Sequence, residues 1–367
     1  ASSWHGTHVA GTIAALTNNG IGVAGVAYNA KVVPLRVLGK CGGYTSDIAD
    51  AIIWASGGAV TGVPANAYAA KVINMSLGGG GACDTTTQNA INSARSRGTV
   101  VIVAAGNENT NASGSNPANC AGVVTVAAVN RAGGRAWYSN YGAVVDVAAP
   151  GGDTSVNANG ILSTLNAGSG APGADNYAFF QGTSMATPHV AGVAALMFSK
   201  NANLTPDDVE SKLKSSARAF PATCTSCGSG IVNASAAVDA SIIIINTMNE
   251  TESNNSTGTA NSVTTSGTTV NGTMASSSDS DYFLVQLPAG KTLTAVMTPG
   301  LSSADYDLYA YNSAGTQIAA SENAAGAVDT VSLTNTGAST IARYVRVKYY
   351  SGGTGATNGK YTLKLSW

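Results

Sequence analysis

Two rhythms of apolar residues divide this chain. Over roughly its first two thirds, unbroken apolar runs alternate with stretches rich in glycine and alanine. Val100-Val101-Ile102-Val103-Ala104-Ala105 is such a run, apolar on both faces, and it predicts a strand buried inside a parallel sheet. The glycine/alanine stretches from Trp4 to Ala15 and from Gly182 to Gly192 predict tightly packed helices. Strands alternating with helices predict an α/β domain with a parallel sheet over residues 1–245. Residues 246–262 are polar and read as a linker. Beyond them the period becomes two, as in Tyr282-Phe283-Leu284-Val285-Gln286-Leu287 and Tyr361-Thr362-Leu363-Lys364-Leu365. Short strands separated by Gly/Asn/Ser turns predict an antiparallel β-sandwich over residues 263–367.

Composition narrows the class. The 367 residues suffice for two domains with substantial cores. Lys plus Arg number 18 against 19 Asp plus Glu, a net charge of −1, so electrostatics give no case for nucleic acid. Ile242–Ile245 is too short to cross a membrane. With only 10% charged residues and abundant Gly, Ser, Thr and Asn, the chain has the composition of a secreted protein, and the lack of a signal peptide is expected of a processed, zymogen-derived product. Five cysteines fit an oxidising compartment.

Chemistry concentrates on one serine. In Gly182-Thr183-Ser184-Met185-Ala186-Thr187-Pro188-His189-Val190-Ala191-Gly192, Ser184 lies between a glycine turn and a helix. Backbone N–H groups there can serve a developing oxyanion, and the hydroxyl needs a base. Pro188 fits the early part of such a helix. Three histidines are available. His189, five residues past Ser184, points away from it on a helix. His5 and His8 sit in Trp4-His5-Gly6-Thr7-His8-Val9-Ala10-Gly11, where a zinc reading lacks a nearby acidic or cysteine partner.

His5 to Gly11 resembles the histidine signature of the subtilisin-like serine proteases, and Gly182 to Gly192 resembles their serine signature. The resemblance implies that His5 is the general base, Ser184 the nucleophile and His8 structural. Asn107, at the end of Val100 to Glu108, is implied as the side-chain oxyanion donor, with the Ser184 backbone N–H as the other. Ser76, Leu77 and Gly78 are implied as one edge of a cleft for an extended peptide, and Gly42 and Gly43 as the other. Ala104, Ala105 and Gly106 would form a wall of the primary pocket, with Glu108 near its rim, where it either favours basic residues or is an ordinary surface carboxylate. The expected activity is hydrolysis of peptide bonds through an acyl-enzyme. An α/β-hydrolase esterase is disfavoured, because Gly182-Thr183-Ser184-Met185-Ala186 lacks the last glycine of that elbow. The C-terminal part more loosely resembles the pre-peptidase C-terminal domain, through Asp279-Ser280-Asp281-Tyr282-Phe283 and Tyr306-Asp307-Leu308-Tyr309. Its tyrosines bind an insoluble protein or simply pack. Asp279, Asp281, Asp305 and Asp307 bind calcium or are solvated loop carboxylates.

The family's aspartate, in an Asp-Ser/Thr-Gly turn upstream of the histidine, has no counterpart among these residues. Two expectations follow: a nicked protease whose N-terminal fragment stays bound and supplies the aspartate, or an inactive remnant that works as a binding protein through its sandwich. The cysteines bear on the first. Cys224 and Cys227 can close locally and Cys83 can meet Cys120. Cys41 is left either to bridge to the N-terminal fragment or as a free thiol. Calcium is implied as well. Leu16 to Val23 is similar to the family's calcium loop, with the carbonyls of Leu16, Ile21 and Val23 and the Asn19 side chain as ligands, or it is a simple Asn-Gly turn. A second set is Asp146 with the carbonyls of Ala121 and Val123, unless Asp146 is satisfied by backbone amides.

Overall fold

The computed structural model describes residues 2–242 and 246–367, so most of the Ile242–Ile245 run lies outside the described residues. The chain forms two compact units, Ala1–Ile243 and Ile244–Trp367. In the first, α1 (His5–Ala14) and α2 (Thr45–Ala55) precede β1 (Val72–Met75), β2 (Gly79–Gly80), α3 (Thr85–Ser96), β3 (Val100–Ala104), β4 (Ser115–Asn116), β5 (Val123–Val129) and β6 (Val147–Pro150). A hairpin of β7 (Ile161–Asn166) and β8 (Asp175–Phe180) leads into α4 (Thr183–Lys200), followed by α5 (Pro206–Ser215) and α6 (Ala234–Asp239).

The expected α/β domain with a parallel sheet is present, in the order β1-β3-β5-β6. Every residue of β3 and β5 is buried, which is why β3 reads as an unbroken apolar run and β5 is broken only by Thr125, instead of alternating. One face (Ile102, Val124, Val126) packs on α4 through Ala186, Val190, Ala194 and Met197. The other (Val101, Val103, Val123) packs on Ala49 and Ile52 of α2 and Ile91 and Ala94 of α3. Asp84 caps α3 by accepting from the Thr87 N–H, and Thr205 closes a capping box with Asp208 at the start of α5. The outer edge of β1 has no strand partner among the described residues. The apolar run 31–38 forms no strand, and Val32, Val33, Leu35 and Leu38 stand exposed.

The second unit holds β9 (Thr247–Asn249), β10 (Asn261–Val263), β11 (Thr268–Thr273), β12 (Ser280–Leu287), β13 (Thr292–Pro299), β14 (Asp305–Tyr311), β15 (Gln317–Ser321), β16 (Asp329–Thr334), β17 (Ile341–Ser351) and β18 (Lys360–Ser366). Two five-stranded sheets, β10-β12-β17-β14-β15 and β16-β13-β18-β11-β9, share one core of inward residues such as Phe283, Leu308, Val345, Val270, Ala295 and Leu363. The expected linker at 246–262 is corrected by the structure: its ends are the edge strands β9 and β10, which pair in parallel with β11 and β12. Short edge strands need only backbone pairing and one buried side chain, here Met248 or Val263, so polar composition hid them.

Of the four carboxylates, Asp279, Asp281 and Asp307 are buried and Asp305 is half-buried. Asp279 accepts the N–H groups of Ala275 and Ser280. Asp281 accepts the Tyr361 hydroxyl beside Glu250 and Glu252. No described helix is long and apolar enough to cross a membrane.

Candidate active site

Ser184 is the second residue of α4, just past Gly182, whose φ of 150° suits a residue without Cβ. A Cβ built on Gly182 would stand 3.6 Å from both Asn107 Oδ1 and the Ser184 nitrogen, so the turn brings these groups together. Asn107 follows β3 directly. Its Oδ1 accepts from the Thr183 N–H (2.8 Å) and Oγ1 (3.0 Å), and Thr183 Oγ1 accepts the Gly106 N–H (3.2 Å). With its oxygen engaged, the Asn107 Nδ2 end makes no hydrogen bond among the described residues, and neither does the Ser184 N–H. Two free donors thus flank one turn at a helix N-terminus, the arrangement an oxyanion requires.

Pro188 is the sixth residue of α4, past the first turn where it was expected. Lacking an N–H, it leaves the Ser184 carbonyl without its helical partner. That carbonyl accepts from Ser76 Oγ at 2.8 Å instead, and Asn74 Nδ2 donates to the same Ser76 Oγ at 3.0 Å. In return, Ser184 Oγ donates to the Ser76 carbonyl at 3.3 Å. The expected peptide-binding edge, Ser76-Leu77-Gly78, is therefore fastened to the nucleophile residue. Gly42 and Gly43 close a tight turn begun at Gly39, with Gly42 at φ 98°. Ala104 and Ala105 are buried, and Gly106 adopts φ 104°. Glu108 stands exposed, yet its Oε2 is engaged, accepting from the Asn107 N–H (2.9 Å) and Asn140 Nδ2 (2.7 Å).

His5 opens α1, which packs against α4 and the β7–β8 hairpin. Its ring makes no hydrogen bond to Ser184. Burial, then the neighbouring His8, lowers its pKa below the ordinary histidine value, which keeps the imidazole neutral and able to accept a proton. His8 is structural: its Nε2 bonds the Ala178 carbonyl (3.0 Å) and its ring stacks on Phe180. His189 Nδ1 meets the Met185 carbonyl at 2.8 Å, one turn back along α4.

Of the calcium candidates, the Leu16, Ile21 and Val23 carbonyls accept no hydrogen bond among the described residues, while Asn19 Oδ1 accepts the Ile21 N–H. In the second set, Asp146 pairs with the Lys214 ammonium at 2.8 Å and accepts the Thr125 N–H, and the Ala121 carbonyl takes Gln88 Nε2. Cys83–Cys120 and Cys224–Cys227 are disulfides, and Cys41 is free and exposed. Sequence reasoning missed Tyr138, Asn140 and Thr183, which act through hydrogen bonds between loops far apart in the chain and so leave no periodic or spacing signal.

The subtilase family model matches residues 1–230. The chain is 65% identical over 243 residues to an extracellular protease of Xanthomonas campestris pv. campestris, a match covering 66% of this chain and 41% of that protein. It is 50% identical over 244 residues to an extracellular basic protease of Dichelobacter nodosus, covering 65% and 39%. A solved structure described as proteases from Pseudoalteromonas arctica PAMC 21717 superposes with a TM-score of 0.65 at 68% identity, covering 65% of this chain and 71% of that one. The matches thus span about two fifths of the length of the two curated relatives.

Proposed function

Because this chain belongs to the subtilase family, we propose that it is a secreted serine endopeptidase acting through an acyl-enzyme on Ser184. His5 takes the Ser184 proton as Oγ attacks the peptide carbonyl, then delivers it to the leaving amine. Water repeats the cycle on the ester. Asn107 Nδ2 and the Ser184 N–H stabilise the oxyanion at each stage. The observation that carries this reading is the pair of free donors on either side of Gly182, beside the nucleophile.

The carboxylate that orients His5 is assigned to a segment outside these 367 residues, bound to the chain. The unpaired edge of β1 and the exposed run 31–38 offer that segment backbone and apolar surface, and the exposed Cys41 thiol offers a covalent tie. Intact mass before and after reduction tests the tie: release of a peptide only on reduction supports it, and a peptide released without reduction removes it.

Calcium belongs to the reading at two places. One is the loop with the free Leu16, Ile21 and Val23 carbonyls and Asn19. The other is the cluster of Glu250, Glu252 and Asp281, whose oxygens lie within 4.8 Å of one another. One end of the Asn254 amide reaches this cluster, 3.1 Å from Glu252 Oε2 and 3.0 Å from Asp281 Oδ1. Hard oxygen donors at that density suit Ca²⁺, which would neutralise the buried charge there.

Labelling with a fluorophosphonate tests the activity. Modification at Ser184, lost in Ser184→Ala, supports the peptidase. The engagement of Ser184 Oγ with the Ser76 carbonyl favours a second reading, an inactive chain that binds through its sandwich. A folded, unlabelled protein would establish that one instead.

A further inference from the structure

Residues 138–140, between β5 and β6, touch both halves of the oxyanion site without reaching the reacting atoms. The loop 106–110, which carries Asn107, is fastened to them at every residue except Asn107, which is reached through Glu108. Asn140 N–H donates to the Gly106 carbonyl (3.0 Å), and the Asn109 N–H donates to the Tyr138 carbonyl (2.8 Å). Asn140 Oδ1, wholly buried, accepts the N–H groups of Glu108 (3.0 Å) and Thr110 (2.9 Å). Asn140 Nδ2 reaches the Ala105 carbonyl (3.0 Å) and Glu108 Oε2 (2.7 Å), and that same Oε2 receives the Asn107 N–H (2.9 Å). Two residues back, the buried Tyr138 hydroxyl accepts the Gly182 N–H (2.9 Å) and donates to the Gly152 carbonyl (2.8 Å). Gly182 is the residue whose conformation aims the Ser184 N–H.

Resting on the reading of Ser184 and Asn107 given above, we propose that Tyr138 and Asn140 are positioning residues that fix the separation of the two oxyanion donors. Asn140 holds the Asn107 loop and Tyr138 holds the Ser184 turn. Because both side chains rise from one three-residue segment, the two donors are tied to a common frame. A donor displaced by about 1 Å loses on the order of 10²-fold in rate, whereas substrate binding along Ser76 to Gly78 needs neither residue.

A matched pair of inhibitors separates these roles. A peptide aldehyde reacts with Ser184: Oγ bonds to the carbonyl carbon, the C=O electron pair moves to oxygen, and His5 takes the hydroxyl proton. The corresponding peptide alcohol occupies the cleft without forming an oxyanion. In Asn140→Asp, which keeps the acceptor and removes the donors, and in Tyr138→Phe, which keeps the ring, aldehyde affinity is expected to fall at least about tenfold. Alcohol affinity should stay within about twofold of wild type. Tyr138→Phe carries the test if Asn140→Asp does not fold. Equal changes in both affinities, or none, would overturn the proposal and leave the two residues a purely structural part. A wild-type protein that binds aldehyde and alcohol alike and resists fluorophosphonate would remove the functional reading and this inference with it.

Discussion

Ser76 and Ser184 exchange two hydrogen bonds because one proline withholds a third. Pro188 cannot donate to the Ser184 carbonyl, and Ser76 Oγ fills that place. Ser76→Ala is therefore expected to lower kcat about tenfold through misplacement of the nucleophile. KM should change little, because the peptide-pairing backbone of Ser76 remains. Steady-state kinetics check this, and a rise in KM at constant kcat would assign Ser76 to binding alone. Pro188→Ala restores the helical N–H and recovers helix propensity. It also returns a competitor for the Ser184 carbonyl, so thermal stability should rise while kcat falls. Gly106 is a stricter case. With φ 104° and Asn140 Nδ2 only 2.3 Å from where a Cβ would stand, Gly106→Ala should cost on the order of 1–3 kcal/mol in a denaturant titration. A wild-type midpoint would mean the loop relaxes freely.

At the scale of elements, the notable pair is β1, with an unpaired edge, and the apolar run 31–38 that no sheet takes up. An open strand edge and exposed valines and leucines each invite association. If the proposed bound segment is removed under denaturing conditions, the refolded chain should aggregate, and Val33→Lys with Leu35→Lys should slow light-scattering growth. Equal growth would place the adhesive surface elsewhere. The same elements show how far the sequence could be read. β3, buried on both faces, was legible as an unbroken apolar run, and the segments around His5 and Ser184 were legible as signatures. The run 31–38 carries five valines and leucines yet forms no strand, because a strand is defined by its partner as much as by its composition. β9 and β10 were hidden for the opposite reason: polar residues at sheet edges pair perfectly well through backbone. Asn140 and Tyr138 were invisible because their side-chain partners lie 14 to 44 residues away in sequence.

For the whole molecule, the two units differ in what they bury. The first is apolar between its layers, while the second holds the buried Asp281 beside the half-buried Glu250 and the exposed Glu252. Burial, followed by the charges of Glu250 and Asp279, pushes the Asp281 carboxyl up to about 9. Its folded pKa therefore exceeds its unfolded value near 4. The folded unit retains a proton that the unfolded chain releases, so metal-free stability is greatest below about pH 4 and declines as pH rises towards 9. Saturating calcium should reverse the trend, since it binds the ionised cluster. Calorimetry at several pH values with and without a chelator measures this, and a melting temperature of residues 246–367 independent of both would show the cluster to be inert.

On the proposed reading, the route of the chain through this second unit decides how the protein wears out. Residues 255–259, exposed apart from the half-buried Thr257, are the expected target for self-digestion. A cut there leaves β9 on the peptidase side, still hydrogen-bonded to β11, while β10 stays with the remainder. The nicked appendage would thus hang on through β9 and the contacts of Glu250 and Asn254 with Thr273, Tyr361 and Tyr282, and be shed gradually, so denaturing gels would report the loss before gel filtration did.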